Sequence, residues 1–470
     1  MASNCQISTP EQYVDKLLDD VGYIKHIYDK SFLENSCGEG NILRGAVRRY
    51  IKSALSEGYS DEEIKKGLEN HFVAYDTDPE CVIRCIQSLN SVVEEFGLFN
   101  VNWNVTQCDY LKCKAQEYDY IVGNPPYITY HDLTEEQRAF LRLNFSSCKK
   151  GRFDYCYAFI EAGIRDLSPA GKLAYIIPYS ILRNKFAEST RNLIKSKLTK
   201  LTDYKGIEVF PSIVTSSISI ICDSQGSDGF EYENVFFNKT TKMKKDTLQE
   251  EWIWETTNEG ERKFGDYFKV SNSIATLLNK AFIFDIDKFD EDFYYVKQYK
   301  IEKNIVYSAI SAKTCKSNKG AHPKRKGIIF PYSISGSKLD HYDEIEFRKL
   351  YPECFKYLQQ FSEELLNRKV NPGVKWFEYG RTQGIQHVFE DKLVFSLVIT
   401  NSINLYDADS RSIPYAGAYI RVKPNSGMTL EKAKEILQTK EFLSYVKSKG
   451  TPTTTTSYRL SVKDIEEYKF

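Results

Sequence analysis

The sequence contains no apolar stretch approaching the roughly 18 residues that a membrane-spanning helix needs. Its first residues, MASNCQISTPEQ, do not follow the charged-then-apolar order of a secretion signal. It has only six histidines, and its eleven cysteines include no Cys-x-x-Cys pair, so the spacing of a zinc site is missing. The 64 basic and 64 acidic residues cancel, which gives no electrostatic indication of a nucleic-acid partner. We therefore expect a cytoplasmic protein without a membrane anchor or a bound metal.

The composition is sufficient for more than one hydrophobic core. The chain has 470 residues, of which 41% are hydrophobic and 14% aromatic, and this length predicts two or three domains. The composition changes after Cys222, where residues 224–229 read SQGSDG and residues 238–251 are mostly polar. Such a run of turn-forming residues predicts a linker between two domains.

The most informative stretch is Asp119–Tyr127, with the sequence DYIVGNPPY. Proline fixes its own backbone and extends the residue before it, so the segment leaves a strand in a rigid form. It lies at the carboxyl edge of the predicted sheet, where open α/β sheets bind ligands. There the Asn124 side chain and the Pro125 carbonyl can accept hydrogen bonds from a planar amine while the Tyr127 ring covers it. The alternative is an ordinary loop, because Pro-Pro pairs are common in loops.

Three earlier strand ends also carry polar residues, and the third, Val105–Tyr110, offers the acid Asp109 followed by an aromatic residue. The first runs into a Gly-x-Gly turn formed by Gly38 and Gly40, and such glycines let a backbone approach a ligand closely. Forty residues later, Phe72–Asp76 ends in a carboxylate, and an acid at this place binds ribose hydroxyls in nucleoside-binding α/β folds. We expect Asp76 to do so, and Asp78 to cap the helix that follows.

These motifs, in this order, resemble the gamma class of S-adenosylmethionine-dependent DNA amino-methyltransferases, above all the TaqI-like adenine-N6 methyltransferases. The resemblance covers almost all of residues 9–223, and it continues through residues 151–161, 167–178 and 208–211. It implies that Asn124, Pro125, Pro126 and Tyr127 form the catalytic motif. The residues that it assigns to S-adenosylmethionine binding are Thr9, Glu34, Gly38, Gly40, Asp76, Thr77, Asp109 and Tyr110.

The resemblance also implies the architecture. We expect a Rossmann-like α/β methyltransferase domain over residues 1–223, a connecting segment over 224–262, and an α+β target-recognition domain over 263–470. In the last domain the likeness is patchy and is carried by Val270–Ile283, residues 376–381 and residues 457–461.

The chemistry implied by the resemblance needs no titrating base before attack. Asn124 and the Pro125 carbonyl would accept the N6 hydrogens of adenine and localise its lone pair, so catalysis rests on positioning and fixed dipoles. The base must first be flipped out of the duplex and would stack on Tyr127. Where the family places a second stacking aromatic we align Cys222, and Asn35 stands where the family often has proline.

Three stretches of the second half give further expectations. Lys303–Lys326 contains several basic residues and no acid, and such a stretch suits DNA phosphates; a solvated loop is the alternative. Leu430–Val446 predicts one amphipathic helix beginning after Thr429. By resemblance, the hydroxyl-rich residues 451–456 lie near DNA.

Several alternatives to an adenine-N6 DNA methyltransferase stay open. The same tetrapeptide serves cytosine N4, a protein glutamine or an RNA base, and a binding protein could keep this fold without catalysis. We expect a monomer that acts on double-stranded DNA. We expect no nuclease in the same chain, because the cofactor motifs begin at Thr9; a separately encoded restriction endonuclease is a possible partner.

Overall fold

The structure, a computed structural model, describes residues 8–210, 216–252, 260–317, 325–335, 338–382, 384–454 and 456–470. Residues 318–324 of the predicted basic stretch lie outside this description. The chain divides into two units, Met1–Trp254 with Thr451–Thr456, and Glu255–Gly450 with Ser457–Phe470. Within the described ranges, no helix combines the length and the apolar character needed to cross a bilayer.

The described residues of the first unit form a sheet of nine strands. These are β1 (Phe32–Glu34), β2 (Phe72–Asp76), β3 (Asn104–Gln107), β4 (Tyr118–Gly123), β5 (Leu167–Pro178), β6 (Leu198–Asp203), β7 (Ser217–Asp223), β8 (Gly229–Asn234) and β9 (Lys239–Lys244). Their spatial order is β3-β2-β1-β4-β5-β7-β6-β8-β9. Strands β1 to β5 pair in parallel, whereas β7 runs antiparallel to both β5 and β6.

This order places the carboxyl ends of β1, β2, β3 and β4 at one edge of the sheet. The order reverses next to β1, which lies between β2 and β4, and such a switch point opens a crevice in doubly wound α/β folds. The predicted Rossmann-like α/β fold is therefore confirmed.

Helices cover both faces of the sheet. Those of the first unit are α1 (Glu11–Asp20), α2 (Asn41–Glu57), α3 (Asp61–His71), α4 (Pro79–Glu94), α5 (Glu135–Asn144), α6 (Cys156–Arg165) and α7 (Glu188–Lys197). Helices α1 to α4 bury apolar residues in one core layer with Phe32 and Ala74. Helices α5 to α7 bury theirs in the opposite layer with Leu33 and Ile121. Both faces of the parallel strands are thus protected from water, as parallel sheets require.

Part of the predicted linker, residues 224–262, is not a linker in the structure. Residues 229–244 form β8 and β9, which extend the sheet beside β6. Phe230 and Tyr232 are buried on one face, while Glu231 and Glu233 form ion pairs with Lys200 on the other. This alternation has the period of two that defines a half-buried strand, and it outweighs the turn-forming composition around it.

The remaining chain is built of shorter elements. Its strands are β10 (Phe268–Asn272), β11 (Ile283–Asp285), β12 (Lys288–Phe289), β13 (Phe293–Val296), β14 (Tyr299–Glu302), β15 (Val306–Ser311), β16 (Lys326–Ile329), β17 (Ser333–Ser335), β18 (Lys338–Asp340), β19 (Lys392–Phe395), β20 (Val398–Ile399), β21 (Tyr406–Ala408), β22 (Ser412–Ala416), β23 (Ala418–Val422), β24 (Thr451–Pro452) and β25 (Tyr458–Arg459). Its helices are α8 (Phe264–Tyr267), α9 (Asn279–Phe282), α10 (Ala312–Ser317), α11 (Glu344–Leu350), α12 (Pro352–Gln359), α13 (Ser362–Leu366), α14 (Leu430–Leu437), α15 (Lys440–Lys449) and α16 (Val462–Glu466). Apart from β24, which belongs to the first unit, these elements form the second unit, an α+β unit of small sheets packed with helices around two apolar cores.

A fully buried lysine in the second unit predicts a pH dependence of stability. Lys392 of β19 donates to the carbonyl oxygens of Asp409 (2.7 Å) and Ser412 (3.0 Å), and burial lowers its pKa from 10.5 to about 8. Between these two pH values the folded state binds fewer protons than the unfolded state. This lysine therefore makes the free energy of unfolding rise with pH in that window, by at most about 1.4 kcal/mol per pH unit.

We expect Lys392→Met to remove this rise. Lys432→Met, at an exposed position of α14, serves as the matched control and should keep the wild-type slope. Urea titrations at a series of pH values measure the free energy of unfolding of each protein. An identical pH slope in Lys392→Met and in the wild type would contradict the burial of a charged lysine.

Candidate active site

A cleft of about 630 Å³ opens at the carboxyl ends of β1 to β4. This volume is in the range of small-molecule sites. Eleven of the twelve predicted site residues line it, and Gly40 lies just outside its lining. The residues come from positions 9 to 127 of the chain, and the topology of the sheet brings them together.

The turn after β1 has the backbone that the glycines predict. Gly38 and Gly40 have φ angles of 51° and 81°, in the left-handed region that favours glycine. A Cβ on Gly40 would lie 2.7 Å from the Cys85 sulfur of α4, so glycine is also needed there for space. Around Gly38 an added Cβ would meet nothing within 4 Å, which leaves this part of the turn open to the cleft.

Asp76 holds this turn against the end of β2. Its two carboxylate oxygens accept hydrogen bonds from the Gly38 amide (2.8 Å) and the Asp78 amide (3.0 Å). Each oxygen has a further lone pair, so the carboxylate can also accept from hydroxyls in the cleft. Asp78 accepts from the Glu80 amide at 2.9 Å and caps α4, as predicted.

Glu34 lies at the bottom of the cleft and is only 3% exposed. Its Oε2 accepts from the Leu43 amide in the first turn of α2 at 3.1 Å. Burial, helped by the negative charge of nearby Asp76, raises the pKa of the Glu34 carboxyl well above its usual value. A buried acid with one hydrogen bond is suited to a cationic ligand, because an ammonium group would stabilise its ionised form.

Asp109 and Tyr110 follow β3 on the far side of the cleft. Asp109 accepts from the Leu111 amide at 3.2 Å, and the Tyr110 hydroxyl donates to Asp166 at 2.8 Å. Tyr155 and Phe159, one turn apart at the start of α6, line the same region. Their spacing of four residues puts both on one helix face. These two aromatic residues were not predicted individually, although they lie in the stretch 151–161 that carries the resemblance.

The Asn-Pro-Pro-Tyr segment begins directly after β4. The Asn124 side-chain nitrogen donates to the Thr9 hydroxyl at 3.4 Å, and the Asn124 carbonyl accepts from the Ser36 hydroxyl at 3.3 Å. Pro125 and Pro126 have no backbone N–H to donate to a ladder, and β4 ends at Gly123, just before the segment.

Tyr127 packs against Phe210, with the ring centroids 6.3 Å apart and the planes at 81°. The alignment of Cys222 with the second stacking position is wrong, because Cys222 lies in the buried part of β7 and away from its first residue. Cys222 is buried within β7 opposite Leu173. Because β7 runs antiparallel to β5, its first residue, Ser217, and not its end lies at the edge of the sheet where the cleft opens. Phe210 precedes β7 and reaches Tyr127 from there.

Together, Glu34, Asp76 and the aromatic residues of the cleft fit a nucleoside with a charged tail. A buried acid suits an ammonium, an acid at the next strand end suits vicinal hydroxyls, and the wall of aromatic rings suits a base. These three groups occur in S-adenosylmethionine in this linear order. The cleft thus has the residue types that the predicted cofactor needs.

Comparisons with known proteins find methyltransferases of restriction-modification systems. Residues 47–210 match the model of the Eco57I restriction-modification methylase family. The chain is 24% identical over 328 residues to the type II restriction enzyme and methyltransferase RM.Eco57I of Escherichia coli, covering 61% of this chain and 33% of that protein. It is 23% identical over 432 residues to the type II methyltransferase M.BstVI of Geobacillus stearothermophilus, covering 77% of this chain and 72% of that protein.

The fold is shared with a larger enzyme. The type IIL restriction-modification enzyme MmeI, solved in complex with DNA, superposes with a TM-score of 0.57 at 13% identity, over 97% of this chain and 64% of that chain. This chain spans only a third of the length of the E. coli relative. The resemblance predicted from the motifs is confirmed: the chain is related to the methyltransferases of restriction–modification systems.

Proposed function

We propose that this chain transfers a methyl group from S-adenosylmethionine to the N6 amino group of an adenine flipped out of duplex DNA. The observation that carries the proposal is the position of Asn124–Tyr127 in the same cleft as Glu34, the glycine turn and Asp76. The residues proposed to bind the target amine and those proposed to bind the cofactor share one cavity. A methyl transfer from the cofactor to the amine requires this. The DNA substrate is supported by the relatives, which are restriction-modification enzymes.

The cofactor, when bound, supplies an electrophilic methyl group on a sulfonium. In the proposed arrangement Glu34 would hold its ammonium, Asp76 would accept from its ribose hydroxyls, and Thr9, Gly38 and Thr77 would line the cleft around it, while Gly40 keeps the turn close to α4. Asp109 and Tyr110 contact its adenine, and Tyr155 and Phe159 add apolar surface there. The protein groups exclude water from the reacting atoms and fix the direction of approach.

Asn124 and Pro125 act on the amine of the target base. The Asn124 side-chain oxygen and the Pro125 carbonyl would accept its two hydrogens, which would localise the nitrogen lone pair for attack. Both acceptors are fixed before substrate binds, Asn124 by Thr9 and Pro125 by its ring, and fixed dipoles need no reorganisation in the transition state. Neither acceptor is a base, so the excess proton on the product nitrogen would pass to solvent water after transfer.

Tyr127 provides the aromatic surface for the extruded base, and the buried Phe210 supports its ring from behind. A base without its neighbours in the duplex loses stacking, and an aromatic ring restores about 1–3 kcal/mol of it. We therefore expect Tyr127→Ala to lower kcat/KM by about 5- to 150-fold, and Tyr127→Phe to stay near the wild type, because the ring remains. Steady-state methylation of a duplex substrate measures both. Equal loss in the two variants would assign the role to the hydroxyl instead.

The class of substrate is tested by expressing the chain in a host that lacks DNA methylation and sequencing its genome for modified bases. N6-methyladenine confined to one short sequence supports the proposal, and Asn124→Ala expressed alongside should leave the genome unmodified. N4-methylcytosine in place of N6-methyladenine would mean that the target base is cytosine. An unmodified genome from folded, cofactor-binding protein would move the proposal to an RNA base or a protein glutamine.

In the same proposal the second unit selects the target sequence, and the chain works as a cytoplasmic monomer. A separately encoded restriction endonuclease would be its partner in a restriction–modification system.

A further inference from the structure

The second unit contains a groove of about 490 Å³ formed by α10 and by residues 396–406, which run from the end of β19 to the start of β21. Twelve residues line it, and they include two lysines and no aspartate or glutamate. Most of the others carry hydroxyl or amide groups. A groove of this composition is suited to a ligand that is negatively charged along one side and has hydrogen-bonding edges on the other.

One wall of the groove is a loop with buried anchors and exposed polar side chains. Ile399 and Ile403 are 2% and 4% exposed and belong to a core of the second unit. Between and beside them Asn401, Ser402 and Asn404 are exposed. Among the residues that the structure describes, these three side chains form no hydrogen bond. The backbone is thus held by its core residues while the amides remain available to a ligand.

The opposite wall carries the positive charge. Lys313 and Lys316 are exposed on α10, and a spacing of three residues puts them on the same face of a helix. They belong to Lys303–Lys326, the stretch whose sequence contains no acid. Two of the basic residues of that stretch thus line the groove.

We propose that this groove binds a strand of the DNA substrate, with Lys313 and Lys316 on the phosphates and with Asn401 and Asn404 on base edges. Lysines contact phosphates irrespective of sequence, whereas asparagine amides pair with the base edge of adenine through two hydrogen bonds. The groove thus divides into a positioning wall and a reading wall. This inference rests on the proposed function and adds the residues that select the sequence.

The experiment uses the full chain and two short duplexes, one with the sequence that the wild-type protein methylates and one with that sequence scrambled. Lys313→Ala and Lys316→Ala should weaken binding to both duplexes equally. Each should make the slope of log K against log salt shallower by about 0.9, the value for one lost phosphate contact. Lys356→Ala, an exposed lysine of α12, is the control and should leave the slope unchanged.

Asn401→Ala and Asn404→Ala should act on specificity. The ratio of the affinities for the two duplexes should fall by about 5- to 150-fold for each lost pair of hydrogen bonds, while affinity for the scrambled duplex stays the same. Asn367→Ala, an exposed asparagine after α13, is the matched control. Thermal unfolding of each variant verifies that these exposed substitutions leave the fold intact.

The two proposals fail in different ways. A wild-type protein that binds and methylates no DNA would overturn the proposed function. A wild-type protein that methylates one sequence, with groove variants that keep both the salt slope and the affinity ratio, would overturn the assignment of the groove alone. Uniform weakening by the asparagine variants would also overturn the reading wall, because it would place those amides on the backbone.

Discussion

Asn124→Ala is expected to lower the rate of methyl transfer by about 10²- to 10³-fold, the range for the loss of one preorganised polar group in a transition state. The side-chain oxygen of Asn124 is one of only two acceptors proposed for the target amine. Without it the nitrogen lone pair stays delocalised in the base. The residues proposed to hold the cofactor, Glu34 and Asp76, do not depend on the Asn124 side chain, so cofactor affinity should stay near the wild-type value.

Single-turnover methylation with labelled cofactor measures the chemical step, and calorimetry with the cofactor alone measures its affinity. Asn102→Ala is a suitable control, since Asn102 is exposed and lies outside the cleft lining. Asn124→Ala with unchanged single-turnover rates would remove Asn124 from the mechanism. Loss of cofactor affinity together with the rate would instead assign Asn124 to the binding of the cofactor, through the contact of its side chain with Thr9.

The candidate site was predictable because each of its residues follows a strand. Strand ends in a parallel sheet meet at one edge whatever the length of chain between them. The order of the motifs therefore implied that these residues lie close together, with the exception of Thr9, which follows no strand. The alignment with the family failed at Cys222. Its strand runs antiparallel, and in such a strand the edge with the cleft receives the first residues rather than the last. A register inside a strand cannot be read from composition alone.

Helix boundaries in the second unit show a similar limit. Residues 430–446 have the periodicity of a single amphipathic helix, but α14 ends at Leu437 and α15 starts at Lys440. The Thr439 hydroxyl accepts from the Phe442 amide at 3.1 Å and caps the second helix. The hydrogen bond of one cap residue thus outweighs a pattern that continues on both sides of it. The two helices keep the predicted apolar face, with Ile436 and Val446 both buried.

Asp76→Ala is the second substitution with a large expected effect, and it should act on binding rather than on chemistry. It removes the acceptor of the Gly38 and Asp78 amides and the proposed acceptor of the ribose hydroxyls. A hydrogen bond to a charged group contributes about 1.5–3 kcal/mol, so the loss of two such ligand contacts should weaken cofactor affinity by about 100-fold or more. The glycine turn also loses its connection to β2, which lowers the free energy of unfolding.

The comparison with Asp78→Ala separates these two effects. Asp78 caps α4, and loss of a cap costs about 0.5–2 kcal/mol of stability without removing the proposed ribose acceptor. Calorimetry should therefore give weak cofactor binding in Asp76→Ala and near-normal binding in Asp78→Ala, even where urea titrations find them similarly destabilised. At saturating cofactor Asp76→Ala should reach most of the wild-type kcat. The kcat of Asn124→Ala should stay low at every cofactor concentration. Equal cofactor affinities in the two aspartate variants would mean that Asp76 supports the turn and does not contact the ribose.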